Sequence, residues 1–178
     1  MKGSRVAKRY ARALLELAPD QTQMEAWGAQ LVRLAIMVGA PELAVRLASP
    51  ELPETARIEA MAKIAERLEL SFPMRSFAVV VARHGRIAAL EAIAEAYRAL
   101  VDETLGRARA TLTFARKPTD AEVARVSEKL GAIARKKIIA TVKVDPELLG
   151  GIVAELEGRT YDGSLATRLQ EAQRRLGG

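Results

Sequence analysis

The feature that most constrains this fold is a change of hydrophobic period at Gly106. Before this glycine, apolar residues recur every three or four positions, the spacing of one face of an α-helix. Residues 108–114 instead alternate between apolar and polar side chains, which is typical of a half-buried β-strand. We therefore predict a mainly α chain, with an N-terminal six-helix bundle over residues 1–106 and a small C-terminal α/β domain over residues 107–178.

Breaks in the apolar pattern divide the first domain into six predicted helices. Prolines and glycines occupy most of these breaks, as expected from their places at helix starts and ends. Ser4 and Asp20 are suitable N-cap residues for the first two helices. The predicted helices span residues 4–17, 20–38, 42–48, 54–68, 73–84 and 87–105.

The second domain mixes strand and helix signals. Thr119 and Glu122 form a capping box, in which each residue bonds to the backbone of the other at a helix start. Predicted strands cover residues 108–114, 138–144 and 152–157, and the chain turns back through residues 160–161. Ser164 is predicted to cap a last helix. The inner face of the first helix in this domain is predicted to contain Val123, Val126, Leu130 and Ile133.

The residue types exclude most catalytic and metal chemistry. The chain has no cysteine and a single histidine, His84, so thiolate nucleophiles and multi-histidine metal sites are impossible. His84 precedes Gly85 at a predicted helix end, where a positive charge suits the helix dipole. That structural role is favoured over a general base. We expect no catalytic residue, no metal and no cofactor.

Gly150 and Gly151 do not form a phosphate-binding loop. Such a loop needs spaced glycines, a lysine and a Ser or Thr opening a helix, whereas a predicted strand follows here. The two glycines are expected to permit tight backbone turning. Carboxylate pairs such as Glu66 with Glu69 lie on polar helix faces, where solvation explains them.

Positive charge is concentrated in the second domain. Residues 1–106 carry 14 Lys and Arg against 13 Asp and Glu, whereas residues 107–178 carry 14 against 9. This surplus suits an acidic partner, a nucleic acid or an anionic membrane. Single-strand binding usually adds aromatic platforms, and aromatic residues are only 4% of the chain. We therefore favour solvated basic faces or a patch for an acidic partner, and we expect no nucleic acid.

No apolar run reaches the roughly 20 residues that a membrane-spanning helix needs. The first twelve residues are basic, as in a targeting peptide, but they continue into an amphipathic helix without an apolar core or cleavage site. We expect them to belong to the mature protein.

The fifth predicted helix is apolar on more than one face, through residues 77–82. Such a helix is either central in a bundle or shares its outer face with a partner. The first helix adds small residues beside its main apolar stripe, and these permit close approach of another helix. From the residues alone, the two interpretations are evenly balanced.

Three stretches together resemble a known family. They are Arg9-Tyr10-Ala11-Arg12-Ala13-Leu14, then Arg83-His84-Gly85-Arg86-Ile87, and then Val144-Asp145-Pro146-Glu147-Leu148-Leu149-Gly150-Gly151 followed by Asp162-Gly163-Ser164-Leu165. In this order, they are similar to the delta subunit of bacterial F-type ATP synthase, a family related to the mitochondrial oligomycin-sensitivity-conferring protein. The resemblance spans essentially the whole chain.

The resemblance implies a non-catalytic stator subunit that ties the catalytic head to the peripheral stalk, so that proton-driven rotation is coupled to ATP synthesis. In that family, the N-terminal bundle binds the helical N-terminus of an alpha subunit between its first and fifth helices. This favours partner binding for the fifth helix here. The implied groove residues are Tyr10, Ala13, Leu14, Phe77, Val80 and Val81.

The resemblance further implies that the second domain meets the b subunits of the stalk. It places the protein on the cytoplasmic face of the bacterial plasma membrane, held there only through the complex. The motif residues of the second domain are expected to serve the fold rather than a contact. They are Asp145, Pro146, Gly150, Gly151, Asp162, Gly163 and Ser164.

Overall fold

The computed structural model describes residues 2–49, 51–148 and 150–163. The chain divides into two compact units, Met1–Leu105 and Gly106–Gly178. The described residues contain seven α-helices, a 3-10 turn and four β-strands, and all four strands lie in the second unit. A mainly helical chain with a small C-terminal sheet, as predicted from the change of period, is therefore confirmed.

Six α-helices precede Gly106. They are α1 (Lys2–Glu16), α2 (Gln21–Gly39), α3 (Pro41–Ala48), α4 (Glu54–Arg67), α5 (Phe72–Arg83) and α6 (Leu90–Thr104), with the 3-10 turn at Ile87–Ala89. Asp20 caps α2 as predicted, because its Oδ1 accepts a hydrogen bond of 2.8 Å from the Gln23 N–H. The prediction that Ser4 caps α1 is wrong, since α1 already begins at Lys2.

The core of the first unit is centred on long apolar side chains from α1, α2, α4, α5 and α6. Tyr97 of α6 is fully buried, and its hydroxyl donates a 3.1 Å hydrogen bond to the Met24 carbonyl of α2. Burial raises the pKa of Tyr97 to about 12, because the phenolate would lose its hydration. This buried polar bond fixes how α6 lies on α2.

The second unit is built on one four-stranded sheet. Its strands are β1 (Arg107–Phe114), β2 (Lys137–Val144), β3 (Ile152–Leu156) and β4 (Arg159–Asp162), in the order β2-β1-β3-β4. β1 and β2 are parallel, so a crossover must join them, and α7 (Asp120–Ala134) provides it. β3 and β4 form a hairpin whose turn residues, Glu157 and Gly158, both have positive φ, as a two-residue turn matched to strand twist requires.

The helix α7 begins with the predicted capping box. The Thr119 hydroxyl accepts from the Glu122 N–H, and the Glu122 carboxylate accepts from the Thr119 N–H at 2.8 Å. The prediction that Ile133 faces inward is wrong, because its side chain is 61% exposed. A single helix is narrower than a four-stranded sheet, so an apolar side chain on its flank stays uncovered.

Candidate protein-binding surface

Helices α1 and α5 meet through aromatic side chains. The rings of Tyr10 and Phe77 lie edge to face, with centroids 6.2 Å apart and planes at 81°. His84, just past the end of α5, approaches the same tyrosine ring at 6.5 Å. Edge-to-face pairs at this separation are favourable because the positive ring edge meets the negative face. The chain therefore places α1 and α5 side by side at Tyr10.

Apolar side chains remain exposed around this contact. Tyr10 and Phe77 are each half-buried, Ala13 is exposed, and Val80 of α5 is 40% exposed. Leu17, one helical turn beyond Ala13 and just past the end of α1, is 70% exposed. We call these five residues the α1/α5 surface. An apolar strip between two helices suits an amphipathic helix from another chain.

Two of the six predicted groove residues are not at this surface. Leu14 is 1% exposed and Val81 is 0% exposed, and both belong to the hydrophobic core. Their neighbours Ala13 and Val80 are the exposed residues, because one residue along a helix rotates the side chain by about 100°. Leu14 and Val81 are therefore corrected to core residues that support the surface from beneath.

Leu17, at the predicted end of the first helix, was not among the predicted groove residues. In the structure, it continues the spacing of Tyr10 and Ala13 rather than that of the buried positions Ala7, Ala11 and Leu14.

An arginine of α1 lies against the aromatic contact of the α1/α5 surface. The guanidinium carbon of Arg9 lies 5.8 Å from the centre of the Tyr10 ring, within the range of a cation–π interaction. His84 Nδ1 lies 2.9 Å from the Val80 carbonyl oxygen, which holds the ring against the end of α5. The apolar strip and the arginine beside it suit an amphipathic helix from another chain.

The motif residues of the second unit form its turns. The Asp145 N–H donates to the Phe114 carbonyl at 2.8 Å, and Asp145 Oδ1 accepts from the Glu147 N–H at 3.0 Å. Pro146 lies between them, exposed in the turn that ends β2. This is an Asx turn, in which a side chain replaces a backbone acceptor.

Glycines continue the same connection towards β3. Gly150 has φ of 128° and Gly151 of 90°, values that side chains with a Cβ rarely adopt. The Gly163 N–H donates to the Ile152 carbonyl at 2.9 Å, directly after Asp162, which pairs with Val153. Ser164, the remaining motif residue, lies outside the described residues.

The described residues were compared with the requirements of a metal site and of a membrane-spanning helix. Within ranges 2–49, 51–148 and 150–163, no group of three or more His, Asp or Glu side chains is placed to hold a metal ion. No helix in those ranges is long and apolar enough to cross a membrane.

Known proteins match this chain along nearly all its length. The family described as ATP synthase delta (OSCP) subunit matches residues 6–176. The chain belongs to this family. Its members are non-catalytic structural subunits of ATP synthase, so this chain is a stator-type subunit rather than an enzyme.

Individual relatives agree with this assignment. The ATP synthase subunit delta of Anaeromyxobacter dehalogenans (strain 2CP-C) is 36% identical over 173 residues, covering 96% of each chain. That of Citrifermentans bemidjiense is 30% identical over 174 residues, covering 97% of each. A chain of the Toxoplasma gondii mitochondrial ATP synthase hexamer shares the fold, with a TM-score of 0.63, 18% identity and 97% coverage of both chains.

Proposed function

We propose that the first six helices act as one bundle that binds the helical N-terminus of an ATP synthase alpha subunit on the α1/α5 surface. The observation that carries this proposal is the exposed apolar strip itself, with Tyr10 and Phe77 in contact and Val80 open beside them. A partner helix covers these side chains without any rearrangement of the core beneath. Removing them from water supplies the binding free energy.

The stator role follows from such a contact. The chain holds the catalytic head to the peripheral stalk, on the cytoplasmic face of the bacterial membrane, and touches the membrane only through the complex. Static attachment requires slow dissociation, because a slipping stator would dissipate the rotation. Buried apolar and aromatic anchors favour slow dissociation.

Calorimetric titration of the full chain with a peptide of the cognate alpha-subunit N-terminus tests the surface. Val80→Asp places a carboxylate in the apolar contact, so we expect the dissociation constant to rise roughly 30- to 150-fold, or about 2–3 kcal/mol. Val45→Asp is the matched control, because Val45 is a 73% exposed valine on another helix of the same unit. Equal affinities for the two variants would contradict the proposed surface.

The second unit is proposed to contact the b subunits along the edge strand β2. Val142 and Val144 of this strand are 41% and 50% exposed, and the strand also carries Lys137 and Lys143. The lysines alternate with the valines and lie on the other face of the strand, so the exposed valines are the side chains that suit the apolar face of a helix from another chain.

A crossed experiment separates the two contacts. Val142→Asp is expected to weaken binding of a peptide from the end of a b subunit and to leave binding of the alpha peptide unchanged. Val80→Asp is expected to weaken binding of the alpha peptide and to leave binding of the b peptide unchanged. If both variants weakened the same peptide, the assignment of one partner to each unit would be wrong.

A further inference from the structure

The single histidine of the chain borders the α1/α5 surface. His84 follows the last residue of α5, and its ring lies against the Tyr10 ring of α1, with centroids 6.5 Å apart and planes at 73°. Tyr10 is half-buried and also contacts Phe77, whereas His84 is exposed. The proposed binding of a partner helix gives this histidine no role so far.

One ring nitrogen of His84 is held by the end of α5. Nδ1 lies 2.9 Å from the Val80 carbonyl oxygen, and the same oxygen accepts the His84 backbone N–H at 3.2 Å. Because a carbonyl oxygen can only accept, Nδ1 carries a proton in both charge states of the ring. The other nitrogen, Nε2, is therefore the atom that gains or loses a proton.

The surroundings of His84 hold its positive charge only while water is present. The carbonyl end of α5 favours a cation in the free protein. Among the described residues, no hydrogen bond or ion pair joins His84 to a carboxylate. The charged group on the other side of the contact is Arg9, whose guanidinium carbon lies 5.8 Å from the centre of the same Tyr10 ring. Arg83 and Arg86, the charged neighbours along the chain, are also cationic.

A partner helix on the α1/α5 surface would remove water from His84. A helix with its side chains is about 10–12 Å wide, which exceeds the 6.5 Å between the Tyr10 and His84 rings. A helix that covers Tyr10 and Val80 therefore reaches the imidazole as well. Removal of water disfavours a charged ring far more than a neutral one.

We propose that His84 makes partner binding at the α1/α5 surface depend on pH, because the partner helix binds the protein with a neutral His84 and not with the imidazolium. Binding then releases the Nε2 proton, so affinity falls as the pH falls through the range in which imidazoles titrate. This inference rests on the proposed binding of the alpha-subunit N-terminus. His84 tunes that affinity and is not an anchor of the contact.

Calorimetric titration of the full chain with the alpha-subunit N-terminal peptide, at about pH 7.5 and about pH 5.5, tests this inference. A partner that binds only the neutral form loses affinity in proportion to the neutral fraction. An ordinary imidazole is about one-tenth neutral one pH unit below its midpoint. We therefore expect the dissociation constant to rise roughly five- to tenfold on acidification.

Two variants identify the titrating group. His84→Phe keeps an aromatic ring beside Tyr10 but has no titrating nitrogen, and His84→Gln replaces the ring by a polar side chain that does not titrate. For both variants, we expect the dissociation constant to change less than about twofold over the same pH range. Equal pH dependence in the original chain and in both variants would overturn the inference.

The number of protons released on binding provides a second readout, obtained from titrations in buffers of different ionisation enthalpy. At about pH 6.5, we expect the original chain to release roughly half a proton and His84→Phe to release none. Proton uptake, or tighter binding at about pH 5.5, would overturn the inference, because the partner would then bring a carboxylate to His84.

The same titrations separate this inference from the proposed function. Binding at about pH 7.5 that does not change on acidification would overturn the role of His84 alone. Absence of binding at about pH 7.5 would overturn the α1/α5 surface, and the role of His84 with it.

Discussion

The two units of this chain bury their apolar side chains to different degrees. Among the described residues, 21 buried side chains form the core of the first unit, and seven form that of the second. In the first unit, the exposed strip of α1 and α5 lies over a core that is already closed. In the second, the exposed Ile133 lies at the rim of the core itself.

The strip on the first unit is proposed to bind a partner, whereas Ile133 of the second unit is an exposed residue on a helix that packs against a small core. Val80 is exposed next to Val81, which is fully buried in the core of the first unit. Exposed apolar residues therefore need their packing context before they indicate an interface.

The largest expected effect is a difference in stability between substitutions at two neighbouring valines of α5. Val81→Asp buries a carboxylate in the core, where it has no counter-charge, and is expected to destabilise the first unit by about 4 kcal/mol or more. Val80→Asp changes a 40% exposed position and is expected to cost less than about 1 kcal/mol. Thermal unfolding monitored by circular dichroism measures both. Similar losses would mean that the orientation of α5 is wrong.

The second-largest expected effect is the loss of stability from shortening a buried side chain in the core of the second unit. Leu112 is fully buried in the centre of β1, and Leu112→Ala is expected to cost about 3 kcal/mol, because the lost contacts leave a cavity. With only a small core, the second unit should unfold at lower denaturant concentration while the first unit is unchanged. Segment-resolved hydrogen exchange in urea distinguishes this result from a single joint transition, which would contradict the independence of the two cores.

The sequence predicted those features that depend on local chemistry. Asp20, the Thr119 and Glu122 pair and the period change at Gly106 each act within a few residues of chain, so helix starts and the change of fold class were predictable. The choice between Ala13 and Leu14, or between Val80 and Val81, was not. Both members of each pair are apolar, and only packing decides which one faces inward.

The position of Ile133 on α7 shows the same limit. Ile133 matches the inner stripe of α7 by spacing, but its burial depends on the width of the sheet relative to one helix. No pattern within α7 contains that information. The start of α6 as a 3-10 turn at Ile87–Ala89 was likewise not predicted.

A smaller effect concerns the aromatic contact of the α1/α5 surface. Tyr10→Ala is expected to weaken binding of the alpha peptide by about 1–2 kcal/mol, or roughly 5- to 30-fold, because the ring is a rigid apolar anchor. Phe72→Ala removes an aromatic ring that is 82% exposed outside the defined surface. The affinity of the Phe72→Ala variant for the alpha peptide is expected to change less than twofold in the same titration. A larger loss of affinity for Phe72→Ala than for Tyr10→Ala would contradict the position of the proposed binding surface.

The smallest effect concerns the capping box of α7. Hydrogen bonds from the Thr119 N–H and hydroxyl lower the pKa of Glu122 below its ordinary value of 4.5. A lowered pKa in the folded state stabilises the protein above the unfolded value, and this contribution is lost as pH falls through the folded value. The stability difference between the original chain and Glu122→Gln should therefore shrink below pH 4.5. A difference that grows on acidification would contradict this account.

Amide hydrogen exchange of the full chain, with and without saturating alpha-subunit N-terminal peptide, tests the central claim most directly. The claim is that the α1/α5 surface of the first unit binds the helical N-terminus of the alpha subunit. We predict slower exchange in α1 and α5 and unchanged exchange in residues 106–163. Slowing confined to the second unit, or no change in α1 and α5 at saturation, would contradict it.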